Sequence, residues 1–225
     1  MGACGLAIYP LSAHKKKDFD SKQSLRSYAR SLGAYHCSYA NRALCAYLES
    51  LIAHHGFKRI ALFYPMRHEP NILPLLKKLK KSKNIQIFLP AMRGLKVKML
   101  PYRLPLVRNH FGIYEPSGFG YVYQQVDFVL IPSLGIDIVF GRIGMGKGVY
   151  DRSFASKSKL PYRAFVSQNL LIANNHITQE FDINAHEYIS YTAVVKNIRG
   201  FYNVDSHHRV FRVRASCRAR RLSGV

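Results

Sequence analysis

The sequence predicts a layered α/β domain built on a mostly parallel sheet, and three observations carry that prediction. Short apolar runs rich in strand formers, such as "RIALFYP" (59–65) and "VDFVLIPS" (126–133), recur along the chain. Stretches with apolar residues at helical spacing lie between them, and this alternation is the pattern of strand–helix–strand units. The 225 residues suffice for one well-buried domain, and 48% hydrophobic with 12% aromatic content suits a packed core. No apolar run reaches the length that spans a bilayer, so no membrane partner is expected.

From Lys22 to His55 the apolar positions Leu25, Ala29, Leu32, Leu44, Leu48, Leu51 and Ile52 follow a helical period, and Gly33 breaks the run into two helices. "NILPLLKKLKKSK" (71–83) reads as an amphipathic helix with Pro74 in its first turn, where a missing N–H costs nothing. "IQIFLP", "LKVKMLPYR", "YRAFVSQ" and "EYISYTAVV" read as further strands. The domain organisation expected is an N-terminal extension over 1–21, a domain over 22–196 and a basic tail over 197–225. In the extension the lysines follow the apolar patch, opposite to a secretory signal, and Leu6 stands where a myristoylation signal needs Ser or Thr. In the tail, "RVFRVRASCRARRLSGV" is arginine-rich and lacks period or turn signals, which predicts a disordered or loosely docked segment.

The net charge is +22, from 34 Lys plus Arg against 12 Asp plus Glu. Such a surface attracts polyanions, whether nucleic acid, nucleoside triphosphates or polyglutamate-like chains, or is a background property of the chain. No recognition motif for RNA or DNA is present, so no dedicated nucleic-acid partner is expected. The four cysteines, Cys4, Cys37, Cys45 and Cys217, form no C-x-x-C pair and are too sparse for a disulfide framework. A reducing, cytoplasmic setting is the expectation.

The chemistry gathers at "GRIGMGKGVYDRSFA" (141–155), where Gly144, Gly146 and Gly148 alternate around Lys147. The loop follows an apolar strand and precedes a helix expected from about Tyr150. Glycines there let backbone N–H groups crowd round an anion, and the helix start adds a favourable dipole. The spacing matches neither of the common phosphate-loop patterns, so the glycines alone also suit a surface turn. Lys147 and Arg142 flank the loop and supply the positive partners that phosphate oxygens need. Acids are scarce, and Asp137, Asp151 and Asp182 precede, close and follow the loop. Asp151 suits a magnesium anchor, since that ion needs one or two carboxylates and keeps several waters. It equally suits an acid complementing the first turn of a helix.

The run "IPSLGIDIVFGRIGMGKGVYDRSF" closely resembles the signature of the 5-formyltetrahydrofolate cyclo-ligase (5,10-methenyltetrahydrofolate synthetase) family. Pro132, Leu134, Asp137, Arg142, Gly144, Gly146, Gly148, Tyr150, Asp151 and Arg152 match it position by position. "KQSLR", "FYPMRHEPNILPLL", "IFLP", "FGIYEP" and "FDINAHEYIS" resemble other family segments in the same order, so the resemblance spans about residues 22–195. It implies a three-layer α/β/α sandwich of the cyclo-ligase type, and conversion of 5-formyltetrahydrofolate to 5,10-methenyltetrahydrofolate with ATP and Mg²⁺, releasing ADP and phosphate.

The same resemblance implies the site. Lys22, Arg26, Arg142, Ile143, Gly144, Met145, Gly146, Lys147, Gly148, Val149 and Tyr150 are expected to bind ATP, with Lys147, Arg142 and Tyr150 as the catalytic set. Tyr64, Glu69 and residues Met145, Gly146, Lys147, Gly148 and Val149 are expected to face the folate, and Asp151 and Asp182 to hold the metal. On spacing alone, Lys22 and Arg26 read as a solvated helix face and Glu69 as a surface acid. Three positions depart from the family pattern: Val149 replaces a usual tyrosine, Phe140 a usual glycine, and His186 an acid. Val149 and Phe140 keep open a non-catalytic folate or nucleotide binder beside the enzyme, and the charge keeps open a nucleic-acid-binding protein. Polyglutamylated folate fits the basic surface; the sequence is silent on oligomeric state.

Overall fold

The computed structural model describes residues 7–9, 18–34, 37–117, 125–154, 160–197 and 209–212, the first and last of these as backbone only. In chain order the elements are β1 (Ala7–Tyr9), α1 (Lys22–Ser31), α2 (Ser38–His55), β2 (Arg59–Ala61), α3 (Leu73–Lys80), β3 (Gln86–Arg93) and β4 (Lys96–Pro101). They continue with β5 (Leu106–Arg108), β6 (Tyr114–Pro116), β7 (Phe128–Pro132), β8 (Gly135–Ile136), β9 (Arg142–Ile143) and α4 (Val149–Phe154). β10 (Tyr162–Val166), β11 (Glu187–Ile189), β12 (Ala193–Lys196) and β13 (Arg209–Arg212) complete the chain.

Nine strands form the main sheet in the order β1-β13-β12-β11-β10-β7-β2-β3-β4. The five central strands, β11-β10-β7-β2-β3, run parallel. The strands outside them pair antiparallel, β4 on one edge and β12, β13 and β1 on the other. The expected extension and tail lie mostly outside the described residues; their described parts are the edge strand β1 with residues 18–21, and Asn197 with β13, which pairs between β1 and β12 and so joins the tail to the main sheet.

Side chains on the central strands alternate between two cores, as the period of two requires. Ile60, Ile87, Leu89, Phe128, Leu130, Ala164 and Val166 point to the face covered by α2 and α3. Ala61, Phe88, Val129, Ile131, Phe165 and Tyr188 point to the other, which Phe154 of α4 and Phe140 close. The helices therefore lie on both faces, heavily on one and thinly on the other. α1 makes a third, smaller cluster, with Leu25 against Ile143 and Leu171.

The helix boundaries follow local chemistry. Ser21 caps α1 by accepting the Ser24 N–H, while Ser24 returns a bond to the Ser21 N–H. Gly33 has a φ of 69° between α1 and α2, and Gly56 ends α2 in the left-handed region. Pro74 occupies the first turn of α3. Two small hairpins, β5-β6 and β8-β9, stand outside the main sheet, and both border the site.

Candidate active site

The carboxyl ends of β7 and β10 open into a cavity of about 630 Å³, a size suited to a small-molecule ligand. This is where an open parallel sheet places its ligands. Tyr64, Glu69, Arg142, Lys147 and Tyr150 all line it, together with Gly144 and Gly148 of the 144–148 loop.

Asp137 builds the platform for the loop. Fully buried, its Oδ1 accepts the N–H groups of Val139 (3.2 Å) and Gly141 (2.9 Å). Its Oδ2 accepts the N–H groups of Ile177 (3.1 Å) and Thr178 (2.9 Å) and the Thr178 hydroxyl (2.6 Å). Five donors satisfy this carboxylate completely, so its role is to tie the β8-β9 hairpin to the 177–178 segment.

Beyond β9 the loop is fastened by its carbonyls. Arg26 Nε of α1 donates to the Gly144 carbonyl at 2.8 Å, and Arg152 donates to the carbonyls of Lys147 and Leu95. Gly146 has a φ of 107° and Gly148 one of 58°, backbone that a side chain would strain. Among the described residues, the N–H groups of Met145, Gly146, Lys147 and Gly148 find no acceptor. Four main-chain donors with no protein partner, beside an exposed lysine, are groups with which a turn can take an anion.

Arg142 is buried under this loop. Its Nη1 pairs with Asp151 Oδ2 at 3.2 Å, its Nε and Nη2 donate to the Pro132 carbonyl, and its guanidinium lies 5.2 Å from the centre of the Tyr150 ring. Asp151 Oδ1 also accepts the Ile183 N–H at 3.3 Å. Asp182, the neighbour of Ile183, pairs with Lys22 and accepts the Gln179 N–H at 2.7 Å. The two expected metal ligands are thus both anchored at the 182–183 segment, each already compensated by a cation, and neither lines the cavity. Among the described residues no three His, Cys, Asp or Glu side chains meet as a metal cage. Such a pair fits a magnesium ion that arrives with nucleotide phosphates and keeps its waters, and not one held by protein alone.

Glu69 lies on the same cavity, with its Oε2 accepting the Met66 N–H at 2.9 Å. Burial pushes its carboxyl up from 4.5 to about 7, against the opposing pull of the Met66 N–H and the Arg142 charge. Burial, aided by the Glu69 charge and opposed by Arg142, likewise pushes the Tyr150 phenol up. Tyr64 is half-buried, its ring centre 5.2 Å from that of Tyr114. Met145 and Val149 line the cavity, whereas the Ile143 side chain is packed beneath α1.

Residues to which sequence reasoning assigned no role also line the site. Gln168, buried at the end of β10, donates to the Glu69 carbonyl at 3.1 Å. Phe111 and Glu115 come from the β5-β6 arm. The position of Gln168 at the carboxyl end of a parallel strand was the signal available for it. Phe111 and Glu115 stand in the "FGIYEP" segment, whose pattern carries no chemistry by itself.

The sequence model described as the 5-formyltetrahydrofolate cyclo-ligase family matches residues 14–182. A 5-formyltetrahydrofolate cyclo-ligase of Haemophilus influenzae is 26% identical over 152 residues, 62% of this chain and 80% of its own length. The 5,10-methenyltetrahydrofolate synthetase of Aquifex aeolicus superposes with a TM-score of 0.66 at 22% identity, covering 83% of this chain and 97% of that one. The corresponding synthetase of Mycoplasma pneumoniae gives 0.56 at 18% identity, covering 76% and 98%. These two likenesses concern the fold, which is theirs. With three quarters of its length matched by the family's sequence model, the glycine loop included, this chain belongs to the 5-formyltetrahydrofolate cyclo-ligase family.

Proposed function

We propose that the protein converts 5-formyltetrahydrofolate to 5,10-methenyltetrahydrofolate at the expense of ATP, with Mg²⁺, releasing ADP and phosphate. One observation carries the reading: the unspent N–H groups of the glycine loop and Lys147 share a single cavity with Glu69 and Tyr64. A phosphate-binding turn and a carboxylate suited to a pterin therefore open on one reaction space.

The chemistry explains the residue types. A formamide oxygen is a poor leaving group, so it first attacks the γ-phosphorus and displaces ADP. N10 then attacks the formyl carbon and closes the five-membered ring, its proton passes to solvent, and the phosphorylated oxygen departs as inorganic phosphate. The protein's task is positioning and charge neutralisation. Loop N–H groups and Lys147 receive the transferring phosphoryl group. Arg142 backs them from below, and Tyr150 stacks against its guanidinium. Lys22 and Arg26 meet the nucleotide from α1. Tyr64 and the 145–149 segment face the folate, and Glu69 orients the pterin by accepting its N–H donors. Asp151 and Asp182 would hold the magnesium ion, which offsets phosphate charge when bound.

Exposed Arg30 on the cavity suits a polyglutamylated folate. The catalytic residues all fall within 22–196, and β1 of the extension and β13 of the tail lengthen the sheet of that unit. Buried Cys37 and Cys45, which form no disulfide among the described residues, support a cytoplasmic setting, and no described helix is long and apolar enough to cross a membrane.

The test is to mix protein, 5-formyltetrahydrofolate, ATP and Mg²⁺ and follow the near-ultraviolet band of the methenyl product. Turnover that requires all three and falls at least tenfold in Asp151→Asn is expected. Binding of folate and nucleotide without product would replace the proposal by a non-catalytic binder.

A further inference from the structure

Lys147 has no carboxylate partner among the described residues; its ammonium lies 3.2 Å from the centre of the Phe111 ring. The two residues arrive from separate elements: Lys147 from the glycine loop and Phe111 from the turn between β5 and β6. Both line the cavity, so the contact bridges two of its walls.

The turn that carries Phe111 is firmly held. Asn109 Oδ1 accepts the N–H groups of Phe111 (2.9 Å) and Ile113 (3.0 Å). Asn109 Nδ2 donates at 3.2 Å to Glu115 Oε2, which also takes the Met92 N–H of β3 at 2.8 Å. Glu115 is 8% exposed. A buried carboxylate therefore latches the hairpin to the main sheet and an asparagine shapes its tip. The backbone that carries the ring is set in place although Phe111 itself is 42% exposed.

A lysine on a glycine loop samples many rotamers, and a phosphate that captures it must suppress them. A ring face removes part of that freedom in advance without competing as an anion would, because the attraction is to a quadrupole and not to a charge. We infer that Phe111 is a positioning residue for Lys147: its ring holds the ammonium over the cavity before nucleotide arrives, which tightens ATP binding. This rests on the reading of Lys147 as a phosphate-binding group.

The experiment measures ATP binding by calorimetry, KM for each substrate, kcat and thermal stability in Phe111→Leu, Phe111→Tyr, Lys147→Met and the Phe111→Leu/Lys147→Met double variant. Expected for Phe111→Leu is a roughly fivefold weaker ATP Kd and higher ATP KM, with kcat, the folate KM and Tm little changed. Phe111→Tyr, which keeps the ring face, should stay within about twofold of the parent. In the Lys147→Met background Phe111→Leu should add nothing. An equal loss in both backgrounds, or intact ATP binding in Phe111→Leu while Lys147→Met weakens it, would overturn the role of Phe111 alone. Intact ATP binding in Lys147→Met would overturn the phosphate-binding role of the lysine, and this inference with it.

Discussion

Phe140 has a φ of 59°, the left-handed region, although it carries a large side chain and is 2% exposed. Its backbone has no room to relax. The Phe140 N–H donates to the Asp137 carbonyl at 3.0 Å, and the Ala185 N–H donates to the Phe140 carbonyl at 3.1 Å. An L-residue in this region costs about 1–2 kcal/mol, and Phe140→Ala keeps that cost while losing the ring from the core, which takes about 3–5 kcal/mol. Phe140→Gly loses the ring too, yet sheds the strain, against about 0.5–1 kcal/mol of extra freedom in the unfolded chain. Glycine should therefore beat alanine here by roughly 0.5–1 kcal/mol, the reverse of their order at ordinary positions. Urea denaturation followed by circular dichroism reads the difference directly. Should Phe140→Ala equal or exceed Phe140→Gly in stability, the strain argument is wrong, and with it the idea that the ring's packing holds an unfavourable backbone.

The Glu69 carboxyl, raised from 4.5 to about 7, makes the folded state the tighter proton binder between those values. Its contribution is fully present below pH 4.5 and lost as pH rises through 7, so Glu69→Gln should gain on the parent over that window, by roughly 3 kcal/mol above pH 7. Parallel stability curves for the two proteins would refute this. A Cβ at Gly141 would stand 2.0 Å from the Thr178 hydroxyl oxygen and 2.7 Å from its Cβ. Gly141→Ala should then break the buried Thr178–Asp137 bond and cost more than about 2 kcal/mol; an unchanged denaturation midpoint would contradict the packing.

Much of the architecture was legible because it rests on patterns local in the chain. The apolar period of α1 and α2, the break at Gly33, Pro74 in α3 and the apolar runs of β3, β7 and β10 each declare themselves within a dozen residues. The run from Arg59 to Pro65 is shorter as a strand than its apolar content suggests. After Ala61 the chain keeps a single ladder-like bond, from Leu62 N–H to the Phe88 carbonyl, and then turns into the cavity wall. The β5-β6 and β8-β9 hairpins escaped notice because strands of two or three residues show no alternation. At the site, the glycine loop and its lysine were readable, whereas the resting partners were not. Whether Arg142 reaches solvent or Asp151, and whether Lys22 reaches solvent or Asp182, depends on segments that only the fold brings together. Asp137 read as one of several acids near the loop; five donors, from the β8-β9 turn and from the distant 177–178 segment, make it structural.

The two guanidinium groups that hold the glycine loop by its carbonyls come from outside the motif or reach beyond it. Arg26 meets Gly144 across 118 positions of sequence, and Arg152 spans from the Lys147 carbonyl to that of Leu95 in the turn between β3 and β4. The motif is consequently not portable. Transplanted into another scaffold without α1 and that turn, the same residues would keep their spelling and lose the bonds on their carbonyls, and the loop backbone would be free to turn over.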